Sequence, residues 1–206
     1  MPLKTSLVSY QTLDEASGNA ADSHTGGLTW TNNGTTGYVA GILNNGADFA
    51  ANSAKFFSST STSYDLTGDF SVSIWINWAA LPANNTAQIF ASKYGAAGNR
   101  AWAVWIYNDN TQQGFRVRNS SDGSGVGDVI ANVTLSTSTW YHVVFTRTGT
   151  TGEVYVNAVS QSVTGNTITG TTFSSTADFQ VADNANNEGA APNLIIDEVA
   201  IWTRVI

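Results

Sequence analysis

The segment FSVSIWINW, Phe70 to Trp78, decides the fold of this chain. Apolar residues occupy every second position of the segment, namely Phe70, Val72, Ile74, Ile76 and Trp78. Successive side chains of a β-strand point to opposite faces, so this period of two predicts a strand with one face in the core. The other face carries Trp75 among serine and asparagine side chains.

Strand signals of the same kind fill the rest of the chain. They recur in QIFASKY, AWAVWIYND, GFRVRNS, GDVIANVTL, WYHVVFTRTG, EVYVNAVSQSV, TADFQVAD and LIIDEVAIWTR, with shorter segments around Leu28–Trp30, Val39 and Ala47–Phe49. No apolar stripe with helical period is found. Repeated strands separated by turn residues predict an antiparallel β-sandwich. Because no linker rich in Pro, Gly and Ser divides the chain, residues 1–206 are predicted to form one domain.

Two Asn-Gly dipeptides mark predicted turns. Asn33-Gly34 and Asn45-Gly46 are of the type that suits tight hairpins.

The composition excludes several classes of partner. The net charge is −7 with eight Lys and Arg residues, so no basic patch is available for nucleic acid. Charged residues make up 11% of the chain, against a usual level of about 25%, which predicts a surface of neutral hydrogen-bonding groups. Cysteine is absent, which excludes disulfides and thiolate chemistry. No run approaches the roughly 20 apolar residues of a membrane span, and the start MPLKTSLVSYQTL lacks the apolar core of a signal peptide.

Five segments resemble, in order and spacing, the motifs of a known family. They are LDEASGNAADS from Leu13, GILNNGADF from Gly41, DFSVSIWINW from Asp69, WYHVVFTRTGTTGEVYVNAV from Trp140 and LIIDEVAIWTRVI from Leu194. The chain resembles a laminin-G-like domain of the concanavalin A-like lectin/glucanase superfamily, of the type common in bacterial and phage proteins. The resemblance implies an all-β, antiparallel jelly-roll β-sandwich over nearly the whole chain.

One position departs from the family pattern. The family has a glycine after the Asn or Asp of the EVYVNAV turn, and this chain has Ala158 after Asn157. A left-handed backbone costs alanine about 1 kcal/mol or more, so another turn type is expected here.

The sequence does not favour the enzymes of this superfamily. A retaining glucanase needs two carboxylates about 5 to 5.5 Å apart, and no clear central strand carries two acids at even spacing. Two histidines do not define a Ser-His-Asp arrangement. A polysaccharide lyase would need a polar cluster on one face, for which the candidates are His142, Arg116, Arg118 and Tyr107. A glycan-cleaving enzyme is the least favoured function.

A carbohydrate-binding surface is better supported. The face opposite the core is predicted to carry Trp75, Trp105, Tyr107, Arg116 and His142, with Arg118 and Trp140 beside them. Aromatic rings stack on the apolar faces of sugars, and the polar groups bond the hydroxyls. The alternatives are that the tryptophans pack in the core or under a loop, that His142 orders a neighbouring loop, and that the arginines form a solvated edge.

The closing segment LIIDEVAIW carries two adjacent acids. Strict alternation along it sends Asp197 and Glu198 to opposite faces, so they are not predicted to form a catalytic pair. By resemblance to glucanases of the superfamily, a structural Ca²⁺ is predicted at Asp197, Glu15 and Asp48, with backbone oxygens completing the shell. The alternative is that Asp197 accepts backbone N–H bonds from the N-terminal segment without a metal.

The favoured function is a non-catalytic carbohydrate-recognition or adhesion module for neutral glycans, such as a cell-surface polysaccharide. The alternative is a structural virion decoration, cement or fibre protein that uses the jelly roll as a scaffold and contacts other virion or surface-assembly proteins. Both functions favour a virion or an extracellular surface as the location.

Overall fold

The computed structural model describes residues 2–24, 27–50, 52, 54–110, 113–183 and 192–206. Within these ranges the chain forms one 3₁₀ turn, Thr62–Tyr64, and sixteen β-strands. The strands are β1 (Leu7–Gln11), β2 (Thr31–Asn33), β3 (Gly37–Ala40), β4 (Asn45–Asp48), β5 (Phe56–Ser59), β6 (Phe70–Trp78), β7 (Thr86–Tyr94), β8 (Arg100–Asn108), β9 (Gln113–Asn119), β10 (Gly127–Val133), β11 (Trp140–Thr148), β12 (Thr151–Val156), β13 (Val159–Ser160), β14 (Val163–Thr164), β15 (Phe179–Val181) and β16 (Leu194–Trp202).

These strands build two antiparallel sheets that pack face to face. Sheet I has the order β13-β12-β11-β6-β16-β4-β3, and β1 also pairs with β16. Sheet II has the order β14-β10-β9-β8-β7-β15-β5-β2. The predicted all-β, antiparallel jelly-roll sandwich is therefore confirmed. Across the described part of the chain, no helix is long and apolar enough to cross a membrane.

The core lies between the two sheets and is rich in aromatic rings. The alternation predicted for β6 is confirmed, because Phe70, Val72, Ile74, Ile76 and Trp78 are all 0% exposed. Two indoles of this core also find acceptors, as Trp78 Nε1 donates to Gln88 Oε1 at 2.9 Å and Trp102 Nε1 donates to the Tyr64 carbonyl at 2.9 Å. Such pairing removes the cost of burying an unbonded N–H group.

A β-bulge in β16 changes the predicted faces of the closing strand. Asp197 lies opposite Trp75 and Ala200 opposite Ser73, so Glu198 and Val199 share one position of β6. Glu198 has a left-handed backbone, with φ of 51°. A bulge of this kind shifts the alternation by one residue. The strict alternation predicted from the sequence is wrong, because Val199 lies in the same core cluster as Leu194 and Ile196.

Two turn predictions also need correction. Asn45-Gly46 lies inside β4 rather than in a turn, and a Cβ at Gly46 would be 3.0 Å from the Ile196 carbonyl. Glycine is needed here because β16 passes so closely. At the β12–β13 hairpin, Asn157 and Ala158 both have positive φ, 50° and 65°. Positive φ at both central residues is typical of a type I′ turn, so Ala158 adopts the backbone that the sequence argued against.

The Asn33-Gly34 dipeptide does lie at a turn, but this turn connects the two sheets. It joins β2 of sheet II to β3 of sheet I instead of closing a hairpin.

The two ends of the chain meet on sheet I. β1 pairs with the second half of β16, and the segment before β1 bonds to the residues at and after the end of β16. Trp202 Nε1 donates to the Leu3 carbonyl at 2.6 Å, and the Arg204 guanidinium donates to the carbonyls of Thr5 and Pro2. Residues 2–6 are thereby held against the outer side of sheet I.

Candidate functional site

The five predicted carbohydrate-binding residues lie on two opposite surfaces. Trp75 of β6 and His142 of β11 are cross-strand partners in sheet I. Trp105 and Tyr107 of β8 and Arg116 of β9 are neighbours in sheet II. The prediction that one face carries all five residues is wrong. Pairing between distant strands places β6 and β11 in sheet I and β8 and β9 in sheet II, although the four strands have similar sequence patterns. The lyase-like cluster fails for the same reason, since His142 lies on the other sheet.

On the outer face of sheet I, Trp75 is held by the imidazole of His142. The two rings stack with centroids 5.0 Å apart and an interplanar angle of 27°. His142 Nε2 lies 2.8 Å from Ser73 Oγ. Burial lowers the pKa of His142, so the imidazole is neutral at pH 7. A neutral ring fixed by a hydrogen bond keeps the indole in one orientation.

Beside this pair is a pocket of about 320 Å³, here called the Trp75 pocket. It lies between the outer face of sheet I and the N-terminal segment. Its lining residues are Leu3, Lys4, Leu7, Tyr10, Ser73, Trp75, Glu198, Ala200 and Trp202. The lining therefore combines two indoles and aliphatic groups with a few polar groups, which is the usual composition of a small-molecule site.

The bulge in β16 places a carboxylate in this pocket. Glu198 is the residue with left-handed φ, and its side chain accepts a hydrogen bond from the Tyr10 hydroxyl. Burial raises the pKa of Tyr10, and the nearby Glu198 carboxylate raises it further. The phenol thus stays protonated and donates to the carboxylate. The pocket presents a fixed acceptor next to its aromatic wall.

The pocket has no catalytic pair among the described side chains that line it. Glu198 is the carboxylate of the lining, and Asp197 is engaged elsewhere by the turn before β4. The hydrogen bonds described for the His142 ring are limited to Ser73. A retaining glycosidase needs two carboxylates and a serine hydrolase needs a third group that orients the histidine.

The outer face of sheet II is covered by its own arginines. Arg118 forms a bidentate pair with Asp128, with Nε–Oδ1 and Nη2–Oδ2 distances of 2.7 and 2.7 Å. The guanidinium carbons of Arg118 and Arg116 lie 4.5 and 5.1 Å from the Trp105 ring centroid. Trp105 is only 8% exposed. We call Trp105, Tyr107, Arg116, Arg118 and Asp128 the Arg–Trp cluster.

The three carboxylates predicted to bind calcium each meet a different backbone segment. Asp197 is 0% exposed, and its Oδ2 accepts the N–H groups of Ile42 and Leu43 at 2.9 and 3.2 Å. Glu15 Oε1 accepts from the Ala21 N–H and Asp48 Oδ1 from the Ala50 N–H.

The N–H groups bonded to Asp197 Oδ2 belong to the turn before β4 and not to the N-terminal segment that the alternative named. In the described ranges, no group of three or more His, Asp or Glu side chains is placed to hold a metal ion. A calcium ion at Asp197 would therefore need mostly backbone oxygens, and it stays a prediction. Burial raises the pKa of Asp197 to about 6, although the N–H bonds from Leu43, Ile42 and Glu198 oppose this shift.

Eight of the nine lining residues of the Trp75 pocket were not selected from the sequence, and four of these eight carry groups that the site uses. These four are Lys4, Tyr10, Glu198 and Trp202. Tyr10 and Trp202 come from the two ends of the chain, and their meeting depends on the β1–β16 pairing. The only sequence feature that pointed to Glu198 was the pair of adjacent acids in an apolar strand. The bulge that directs the Glu198 side chain toward the pocket has no recognisable sequence motif.

Among the solved structures with the same fold, two are named as binding domains and a third is named for a ganglioside interaction. The binding domain of Paraclostridial Mosquitocidal Protein 1 aligns with a TM-score of 0.74 and 16% identity, over 100% of this chain and 50% of that chain. The receptor binding domain of botulinum neurotoxin C/D mosaic serotype aligns with a TM-score of 0.72 and 12% identity, over 99% and 49%. A third structure, for which cell entry of botulinum neurotoxin type C is described as dependent upon interaction with two ganglioside molecules, aligns with a TM-score of 0.67 and 11% identity, over 99% and 49%.

This chain spans about half the length of these neighbours. At such identities the likeness establishes the fold alone. None of the curated protein sequences matches the chain significantly.

The family comparison rests on sequence rather than on shape. The family model described as concanavalin A-like lectin/glucanases superfamily, of the laminin G type, matches residues 51–206, which is most of the chain. The matched segment includes β6, β11 and β16, which carry three of the five motifs of the resemblance, while the motifs from Leu13 and Gly41 lie before it. The chain belongs to the laminin G type of the concanavalin A-like lectin/glucanase superfamily.

Proposed function

We propose that this chain is a non-catalytic carbohydrate-recognition module and that the Trp75 pocket holds a sugar. The observation that carries the proposal is the pairing of two indoles, Trp75 and Trp202, with the Glu198 carboxylate in one concave site. A pyranose ring has an apolar face that stacks on an indole. Its hydroxyl groups donate to a fixed carboxylate.

The polar groups of the pocket suit a neutral sugar. Glu198 accepts hydrogen bonds, Tyr10 can accept a further bond at its oxygen, and Lys4 donates from the N-terminal wall. The volume of about 320 Å³ lies at the lower end of the range for small-molecule sites, which begins near 300 Å³. One or two sugar units of a longer chain would fill such a site.

Two further facts support a binding role. Two solved structures with this fold are named as a binding domain and a receptor binding domain, and a third is described by its interaction with two ganglioside molecules. The described lining of the pocket also lacks the second carboxylate that glycoside hydrolysis requires. A virion decoration, cement or fibre role is the alternative, and it requires no occupied pocket.

A glycan array with matched variants tests the proposal. The wild-type chain is expected to bind neutral glycans, and Trp75→Ala is expected to weaken that binding by about fivefold to thirtyfold, because one stacking platform is worth about 1 to 2 kcal/mol. Trp140→Ala is the matched control. Trp140 lies on β11 two residues before His142, outside the pocket lining, so its removal should leave binding unchanged.

Two outcomes would contradict the proposal. Absence of binding by folded wild-type chain to any glycan would favour the scaffold role, above all if the chain associates with a larger particle. Release of sugar ends from a polysaccharide panel, abolished by His142→Ala, would instead indicate an enzyme.

A further inference from the structure

The Arg–Trp cluster on sheet II combines charge and aromatic groups that the Trp75 pocket does not use. Arg116 and Arg118 occupy alternate positions of β9 and both lie over Trp105. Arg116 is also 4.8 Å from the Tyr107 ring centroid. The chain as a whole is acidic, with a net charge of −7 and eight Lys and Arg residues. Two adjacent guanidinium groups on one face are therefore a local excess of positive charge.

The two arginines share one carboxylate unequally. Arg118 takes both oxygens of Asp128 at 2.7 Å, and these bonds outweigh the effect of burial, so the pKa of Arg118 is raised. Arg116 Nη1 is 3.7 Å from Asp128 Oδ2, which is beyond hydrogen-bonding distance. One guanidinium is thus fully paired, and its neighbour keeps its donors for another anion.

Two N–H donors of the cluster are buried without an acceptor among the described residues. They are Arg116 Nε and Trp105 Nε1, on cross-strand partners of β8 and β9. A buried donor without a partner costs about 1 to 3 kcal/mol. Their position beside an incompletely paired guanidinium indicates a place where an acceptor from outside the chain would be stabilised.

We propose that the Arg–Trp cluster binds the planar carboxylate of a uronic-acid glycan. A guanidinium fork matches a carboxylate in plane with two parallel hydrogen bonds. The incompletely paired Arg116 guanidinium offers such a fork, and the unbonded Trp105 N–H lies buried beside it. Tyr107 is only partly buried, so its ring is available beside the anion for the sugar ring. This neighbouring ring favours a glycan over an acidic peptide.

This site is independent of the proposed neutral-glycan pocket. It lies on the other sheet, and its residues are not part of the Trp75 pocket lining. The two sites also select different chemistry, a neutral sugar on sheet I and a carboxylate on sheet II. Failure of one proposal therefore leaves the other standing.

Calorimetric titration of the wild-type chain provides the first test. The probes are an oligogalacturonide and the same oligosaccharide with its carboxylates methyl-esterified. The acid is expected to bind at least about tenfold more tightly, because charge-assisted bonds contribute about 1.5 to 3 kcal/mol. Equal affinity for the acid and the ester would overturn the proposal.

Matched variants assign the binding to Arg116. Arg116→Gln is expected to reduce the affinity for the oligogalacturonide about tenfold or more. Arg116→Lys is expected to show most of the same reduction, because lysine keeps the charge but lacks the planar fork. Lys55→Gln removes one positive charge outside the cluster and should leave the affinity unchanged, as should Trp75→Ala. An equal loss in Lys55→Gln would mean that overall charge, not this site, attracts the acid.

The indole N–H of Trp105 gives a readout in the unmutated protein. Its proton resonance, assigned through Trp105→Phe, is expected to shift on addition of the acid and not of the ester. An unmoved resonance during saturable binding would place the carboxylate elsewhere and overturn the assignment. Equal binding of poly-glutamate would likewise replace the glycan by an acidic peptide.

Discussion

On the outer face of sheet I an indole lines an open pocket, whereas on the outer face of sheet II an indole lies beneath two guanidinium groups. Trp75 stacks on the neutral imidazole of His142 and reaches the pocket. Trp105 is covered by Arg116 and Arg118 and is 8% exposed. An aromatic side chain on an outer face is thus a stacking platform only where the chain itself leaves the ring uncovered.

The two faces also treat their carboxylates differently. Asp197 on sheet I is held by backbone N–H groups, and its pKa is raised to about 6 by burial. Asp128 on sheet II is held by a guanidinium in a bidentate pair. The N–H dipoles of sheet I only partly offset the cost of burying the Asp197 carboxylate, whereas sheet II pairs its carboxylate with an opposite charge. The two faces should therefore respond differently to mutation and pH.

The largest expected effect is a difference in the free energy of unfolding between the alanine variants of Trp105 and Trp75. Trp105→Ala should cost about 3 to 5 kcal/mol in free energy of unfolding, because it removes a nearly buried ring from under two arginines. Trp75→Ala should cost at most about 2 kcal/mol, since that ring already borders a pocket. Urea unfolding measures both, with Trp105→Phe as the control that keeps a ring. Equal costs for the two alanine variants would break the comparison.

A smaller effect is expected at the carboxylates of the two faces. Asp128→Asn should cost about 2 kcal/mol, because it leaves the largely buried Arg118 guanidinium without its partner. Glu198→Gln on sheet I should cost less than about 1 kcal/mol, since an amide oxygen still accepts from the Tyr10 hydroxyl. The measurement is the urea midpoint of each variant. A larger loss for Glu198→Gln would show that sheet I also relies on charge.

An effect of similar size concerns the pH dependence of stability at Asp197. Its pKa in the folded chain, about 6, lies above the ordinary value of 3.8, so folding favours the protonated form. This contribution is fully present below the ordinary pKa and is lost as pH rises through about 6. In EDTA, the thermal midpoint of the wild type should fall by about 4 °C more than that of Asp197→Asn between pH 4.5 and pH 7, because the raised pKa corresponds to about 2 kcal/mol over that range.

Calcium would reverse that dependence if it binds as the sequence predicted. The ion favours the ionised carboxylate, so added Ca²⁺ should raise the thermal midpoint at pH 7 in the wild type and not in Asp197→Asn. An unchanged midpoint with Ca²⁺ and with EDTA would reject the calcium site. The additional pH dependence of the wild type would then result only from burial of Asp197 and its bonds to backbone N–H groups.

The sequence by itself determined the fold class and the core face of the main strand. Alternation in Phe70–Trp78 requires only that neighbouring side chains point to opposite faces, which is a local property of any strand. The family motifs added the jelly-roll arrangement, and the family match over residues 51–206 agrees with them. The candidate residues Trp75 and His142 were also found correctly as neighbours on one outer face.

The tertiary structure alone decided which candidate residues share a surface. Trp105, Tyr107 and Arg116 have the same alternating pattern as Trp75, but sheet membership depends on pairing between distant strands. The bulge at Glu198 depends on β6 and β1 holding the two edges of β16 at once. The periodicity of apolar residues and the composition are local properties of each segment. A pocket between the two chain ends forms only after distant strands have paired.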